Sequence, residues 1–143
     1  MNWLRRWTGF YLLSPHRYFD PRAIPDDFNI AAWSSAQYEH APDPWMGFQD
    51  HVQPVEETLS TGIGDCVDYS AVVLSWLLRT STPKAVMMVC RSGTTGHLAI
   101  AANASTYSSG RIVEETPEEY YDRTKYSPVF HRTVGMSIDE EGR

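Results

Sequence analysis

Lysine, cysteine and long apolar runs are all scarce in this chain, and each shortage narrows what it can do. Lys84 and Lys125 are the two lysines; 12 basic residues face 18 acids, for a net charge of −6. A chain this acidic offers no broad basic face, which argues against nucleic acid and against a membrane surface as partners. Two cysteines, Cys66 and Cys90, are too few for a disulfide framework, so a reducing, cytoplasmic setting is expected. No stretch approaches the ~20 apolar residues needed to span a bilayer. The apolar run within residues 1–13 is broken by Thr8 and Gly9 and is followed by Ser14-Pro15-His16-Arg17 where a signal peptide would place small residues, so it does not read as one. His16, His40, His51 and His131 show no metal-ligand spacing and read as surface residues. No metal or cofactor is expected, and neither repeats nor low-complexity linkers occur.

The length, 143 residues, fits one domain with a core of its own, and 42% hydrophobic with 13% aromatic residues marks it as globular. Three parts are expected within that single domain, 1–143. Residues 1–50 are rich in proline and aromatics and hold one short helix within 26–38. Residues 54–116 form the core. Residues 117–143 are a C-terminal extension with a further strand over 128–134.

In the core, residues 66–79 are apolar almost all round, which predicts a helix buried on most sides. Thr80-Ser81-Thr82-Pro83 stops it. Strands follow over 85–90, 97–103 and 111–116, with turns over 91–96 and 104–110, giving a central helix and then an antiparallel meander.

Gly62-Ile63-Gly64-Asp65-Cys66 places a cysteine behind a glycine-rich turn at the head of that helix. Helix N-terminal N–H groups favour an anion, so they favour the thiolate. His97 opens the second strand, and Glu114 lies in the third. Strand alternation puts His97, Ala99 and Ala101 on one face, and the two small alanines leave room there for the helix that begins at Cys66. These residues suit thiol acyl transfer. Cys66 is the nucleophile, and its own N–H donates to the oxyanion. His97 takes the thiol proton and returns it to the leaving amine. Glu114 orients the imidazole, as the acid does in a Ser-His-Asp triad; Glu115 is the alternative. Asn103, about 20 Å along the strand from His97, is a poorer partner. A second oxyanion donor is sought upstream, with Gln53 the candidate ahead of Gln49 and Trp45. The plainer roles are an N-cap for Asp65, favourable charge in the first turn for Asp68, core packing for Cys90, and solvated strand-end charges for Glu114 and Glu115.

Residues 54–70, Pro-Val-Glu-Glu-Thr-Leu-Ser-Thr-Gly-Ile-Gly-Asp-Cys-Val-Asp-Tyr-Ser, resemble the nucleophile region of transglutaminase-like cysteine proteinases. Those proteins carry a proline, Glu-Thr-Leu, a glycine-rich turn and Gly-Asp-Cys-Glu-Asp-Tyr-Ala. Gly96-His97 is similar to their histidine block, and Ile112-Val113-Glu114-Glu115-Thr116 to the block that ends Asp-Pro-Thr. The resemblance covers roughly residues 45–116. It implies an α+β, papain/transglutaminase-like core, with the nucleophile helix packed on an antiparallel β-sheet. It implies a cysteine peptidase or amidohydrolase acting on a protein or peptide through a thioester. Acyl transfer to an amine, or a binding or structural module that keeps the fold without the chemistry, are the alternatives. Two departures stand out. Glu114 replaces the family's Asp. Val67 replaces an acid that, with Asp65 and Asp68, holds calcium in some relatives, so calcium is not expected here. NlpC-type peptidases also begin a helix with Asp-Cys, but Tyr69-Ser70 lacks their Ser-Gly continuation.

Overall fold

A computed structural model describes residues 18–41, 53–93 and 95–135. Four α-helices and seven strands occur among them: α1 (Ile30–Ala36), β1 (Glu39–His40), α2 (Val55–Thr61), β2 (Ile63–Gly64), α3 (Cys66–Arg79), β3 (Lys84–Ser92), β4 (Thr95–Ala102), β5 (Ser105–Ser108), β6 (Arg111–Val113), α4 (Pro117–Thr124) and β7 (Ser127–Gly135).

Helix α3 follows from its sequence. Asp65 caps it, accepting hydrogen bonds from the Val67 and Asp68 N–H groups, and the Asp68 carboxylate accepts from Asp65 N–H in return. This reciprocal box satisfies N–H groups that a helix start otherwise leaves unpaired. Behind it, Val67, Tyr69, Ala71, Val72, Val73, Leu74 and Leu77 are fully buried. Gly64 is required just before the cap, because a Cβ there would come 2.8 Å from Asp68 Cβ.

Strands β3 to β6 form an antiparallel meander, and β7 returns to the free edge of β3, giving the order β6-β5-β4-β3-β7. Two two-residue turns make the tight hairpins. Asn103 and Ala104 join β4 to β5, and Ser109 and Gly110 join β5 to β6, all four at positive φ. That is the backbone twist a right-handed hairpin prefers. The expected turn over 104–110 is therefore corrected: it contains strand β5, whose Thr106 and Tyr107 are buried. The third strand is shorter than expected and ends at Val113. In the C-terminal part, α4 precedes the expected strand. Thr116 caps it, Pro117 opens it and Glu119 closes a second capping box.

The two faces of the sheet carry different layers. Helix α3 packs on the face of Met87, Val89, Leu98, Ile100 and Ala102. The opposite face holds Met88, Cys90, Ala99, Ala101 and Tyr120 of α4. So Ala99 and Ala101 do receive a helix, but it is α4 and not α3. The larger apolar surface of Leu98 and Ile100 takes the more apolar helix, since burial scales with apolar area.

Candidate active site

Cys66 and His97 are brought together in the wall of one cavity of about 460 Å3, although they belong to different layers. The reason lies in the strand pairing. β5 pairs only with Ile100–Ala102 of β4, so the first half of β4 has a neighbour only in β3. His97 sits in that half. The chain at Ser108, Ser109 and Arg111 lines the same cavity, with Tyr120, Arg123 and Thr124 of α4 and Tyr126 beyond it.

Cys66 is the first residue of α3, so its thiol lies where the helix dipole favours negative charge. Two carboxyl groups lie in the same turn. Burial and the neighbouring Asp65 push the Asp68 carboxyl up to about 7. Both acids hold backbone: Asp68 also accepts from Gln53 N–H at 2.8 Å. Gln53 itself turns its amide away, donating to Thr58 Oγ1 and to the Ile63 carbonyl, each at 2.8 Å. It does not line the cavity. Gln49 and Trp45 lie outside the described residues.

The imidazole of His97 is held from one side. Its Nε2 is 2.7 Å from Ser108 Oγ, and Ser108 Oγ is 3.1 Å from the Tyr120 hydroxyl. Across the strand pair, Cys90 Sγ lies 3.6 Å from the His97 carbonyl. Tyr126 packs on the ring at 5.3 Å between centroids. Burial, with His40 nearby, lowers the His97 pKa to about 4. The imidazole is therefore neutral at pH 7, and the burial that keeps it so makes it a weaker base than a free imidazole. Cys90 is fully buried, and burial pushes its thiol up to about 12, as befits a core residue.

Among the described residues Ser108 is the hydrogen-bond partner of the His97 ring, and neither Glu114 nor Glu115 lines the cavity. Glu114 follows β6, is exposed, does not line the cavity, and makes no hydrogen bond or ion pair among the described residues. Glu115 is taken by Arg123, at 2.6 and 3.0 Å, and by the Thr106 hydroxyl. His40, read from sequence as a surface residue, is exposed but lines the cavity. The parallel pairing of His40 with Gly64 carries it there, and no local motif announces it. His131 lies on the α4 face of the sheet, opposite Met88 in β3 and outside the cavity, bonded to the Tyr121 hydroxyl at 2.7 Å. His16 and His51 are outside the described residues. Among the described residues no group of three or more His, Cys, Asp or Glu is arranged to hold a metal, and no helix is long and apolar enough to cross a membrane.

No family model matches the chain, and no curated protein matches it. Among solved structures the chain is similar to Legionella pneumophila LapG, with a TM-score of 0.53 and 17% sequence identity, covering 72% of this chain and 62% of the LapG chain. The chain thus spans less than two thirds of that neighbour's length. At this identity the likeness concerns the fold: α+β, with helices on an antiparallel sheet, compatible with a transglutaminase-like arrangement.

Proposed function

We propose that the chain is a cysteine peptidase or amidohydrolase, with Cys66 as nucleophile and His97 as its base. The observation that carries this reading is the meeting of a helix-head cysteine and a neutral, hydroxyl-anchored imidazole in one cavity. The sequence resemblance around Cys66 supports it, and so does the fold neighbour LapG, a transglutaminase-like cysteine protease.

With Nε2 bonded to Ser108, Nδ1 is the nitrogen left to exchange protons. Nε2 then carries its hydrogen and donates to Ser108, which donates on to Tyr120. Nδ1 takes the thiol proton, and the Cys66 sulfur forms a bond to the amide carbon while the carbonyl pair moves onto oxygen. That oxyanion develops at the head of α3, where the helix dipole favours it. Collapse breaks the C–N bond, and His97 returns the proton to the departing amine. Water then attacks the thioester, giving its proton to His97, and the thiol leaves. Ser108 fills the orienting role in this reading.

A library of internally quenched peptides provides the test. Cleavage by the wild type that disappears in Cys66→Ala, with the circular dichroism spectrum unchanged, is the expected result. Unchanged cleavage in Cys66→Ala refutes the assignment.

A further inference from the structure

The cavity that holds Cys66 and His97 differs in charge from the rest of the chain. The sequence carries 18 acids and a net charge of −6, yet no Asp or Glu is among the described residues that line this cavity. His40, His97, Arg111 and Arg123 line it instead, with the hydroxyls of Ser108, Ser109 and Tyr126.

The two arginines are not equivalent. Arg123 is committed: it donates twice to Glu115 and lies 5.6 Å over the Tyr120 ring. The Arg111 guanidinium makes no side-chain hydrogen bond or ion pair among the described residues, and it acts on Glu115 only through the field that helps hold that carboxyl low. The neighbouring Ser109 Oγ is shut off from water and has no hydrogen-bond partner. An unpaired buried hydroxyl is costly, and native structures rarely keep one unless something fills the need. Ser109 and Arg111 flank Gly110, and the tight positive-φ turn at Ser109 and Gly110 fixes both in the wall. A forked cation in a cavity wall that lacks acids is a receptor for a carboxylate, and Ser109 Oγ must rotate out of its buried position to share that ligand.

We propose that this cavity selects substrates bearing a carboxylate close to the amide that is cleaved, that is, acidic peptides, with Arg111 and Ser109 as the groups that bind it. This rests on the thiol reading of Cys66 given above.

The test compares iodoacetate with iodoacetamide as alkylating agents for Cys66. In both reactions the sulfur–carbon bond forms, the carbon–iodine bond breaks and iodide leaves. The reagents differ mainly in that one bears a carboxylate. The ratio of their rates at Cys66, followed by peptide mass spectrometry, is referred to the same ratio for a neutral cysteine peptide. The expected ratio at Cys66 exceeds the peptide's at least five-fold in low salt. It falls to the peptide's value in Arg111→Gln, shrinks in 1 M sodium chloride, and is unchanged in Lys84→Gln, which removes the same charge at the opposite end of β3. A wild-type ratio equal to the peptide's overturns the proposal, as does a raised ratio that survives Arg111→Gln. His97→Ala separates this from the parent reading: loss of His97 slows both reagents alike if that reading holds, and leaves both rates unchanged if it fails.

Discussion

Each face of the sheet carries one cysteine, and the two show what a thiol needs besides proximity to a histidine. Cys90 is the cross-strand partner of His97, in β3 and β4. Yet it is fully buried, has no helix terminus beside it, and its thiol is pushed up to about 12. Its thiol donates to the His97 backbone carbonyl, away from the imidazole. Cys66 lies on the other face, 8% exposed, at the head of a 14-residue helix and in the wall of a cavity. Position at a helix terminus and access to a cavity distinguish Cys66 from the core residue Cys90, and on these the proposed role of nucleophile rests.

The largest expected effect tests that contrast directly. Cys66→Ala removes amide cleavage altogether, whereas Cys90→Ala leaves it within a few-fold of wild type and lowers thermal stability by ~1 kcal/mol through the small void it opens. The two variants are compared by peptide cleavage and by thermal melts. Comparable losses of activity in both would erase the distinction.

A smaller effect sharpens it. If the hydroxyl chain orients His97, Ser108→Ala leaves Nε2 without its partner. A neutral hydrogen bond is worth ~1 kcal/mol, so cleavage slows roughly five-fold, and Tyr120→Phe, one step further from the ring, slows it less. An exposed acid is the alternative partner, so Glu114→Gln is the matching control. A Glu114→Gln loss larger than that of Ser108→Ala would return the third role to the acid.

The two sides of the site also respond to pH in opposite senses. The pKa of His97 is lowered from 6.5 to about 4 in the fold, so the unfolded chain binds its proton first, and stability from this group falls as pH drops from about 6.5 to about 4. Asp68 is raised from 3.8 to about 7, so the folded chain binds its proton first, and stability from this group falls as pH rises from about 4 to about 7. The two oppose each other across the same window. Relative to wild type, His97→Gln makes stability fall more steeply with rising pH, and Asp68→Asn makes it rise more steeply, each by at most ~1.4 kcal/mol per pH unit. Urea titrations at half-unit pH steps measure both. Changes of the same sign in the two variants would contradict the opposed shifts.

The sequence revealed the parts whose signals are local. Helix α3 was legible from Asp65 at its cap and the apolar residues behind it, and its observed span is Cys66–Arg79. The alternation of β4 also read correctly. Strand β5 was not legible. Its four residues, Ser105–Ser108, are small and polar apart from Tyr107, and they sit between turns, one of which places Ala104 at a positive φ that alanine does not announce. Its end residue, Ser108, went unseen as the partner of His97 for the same reason. Helix α4 did carry a signal, Thr116-Pro117 followed by Glu119, which marks a capped helix start. Without α4, the small face of β4 offers itself to α3, which packs on the other face. His40 was not legible at all, because a pairing with residues far along the chain brings it to the cavity.

The pH profile of iodoacetamide labelling, read separately at Cys66 and Cys90, bears most directly on the central claim. The account predicts that Cys66 labels readily below pH 8, that Cys90 does not, and that His97→Ala abolishes the difference. Slow labelling of both cysteines that rises only near pH 8 to 9, with no effect of His97→Ala, would contradict it.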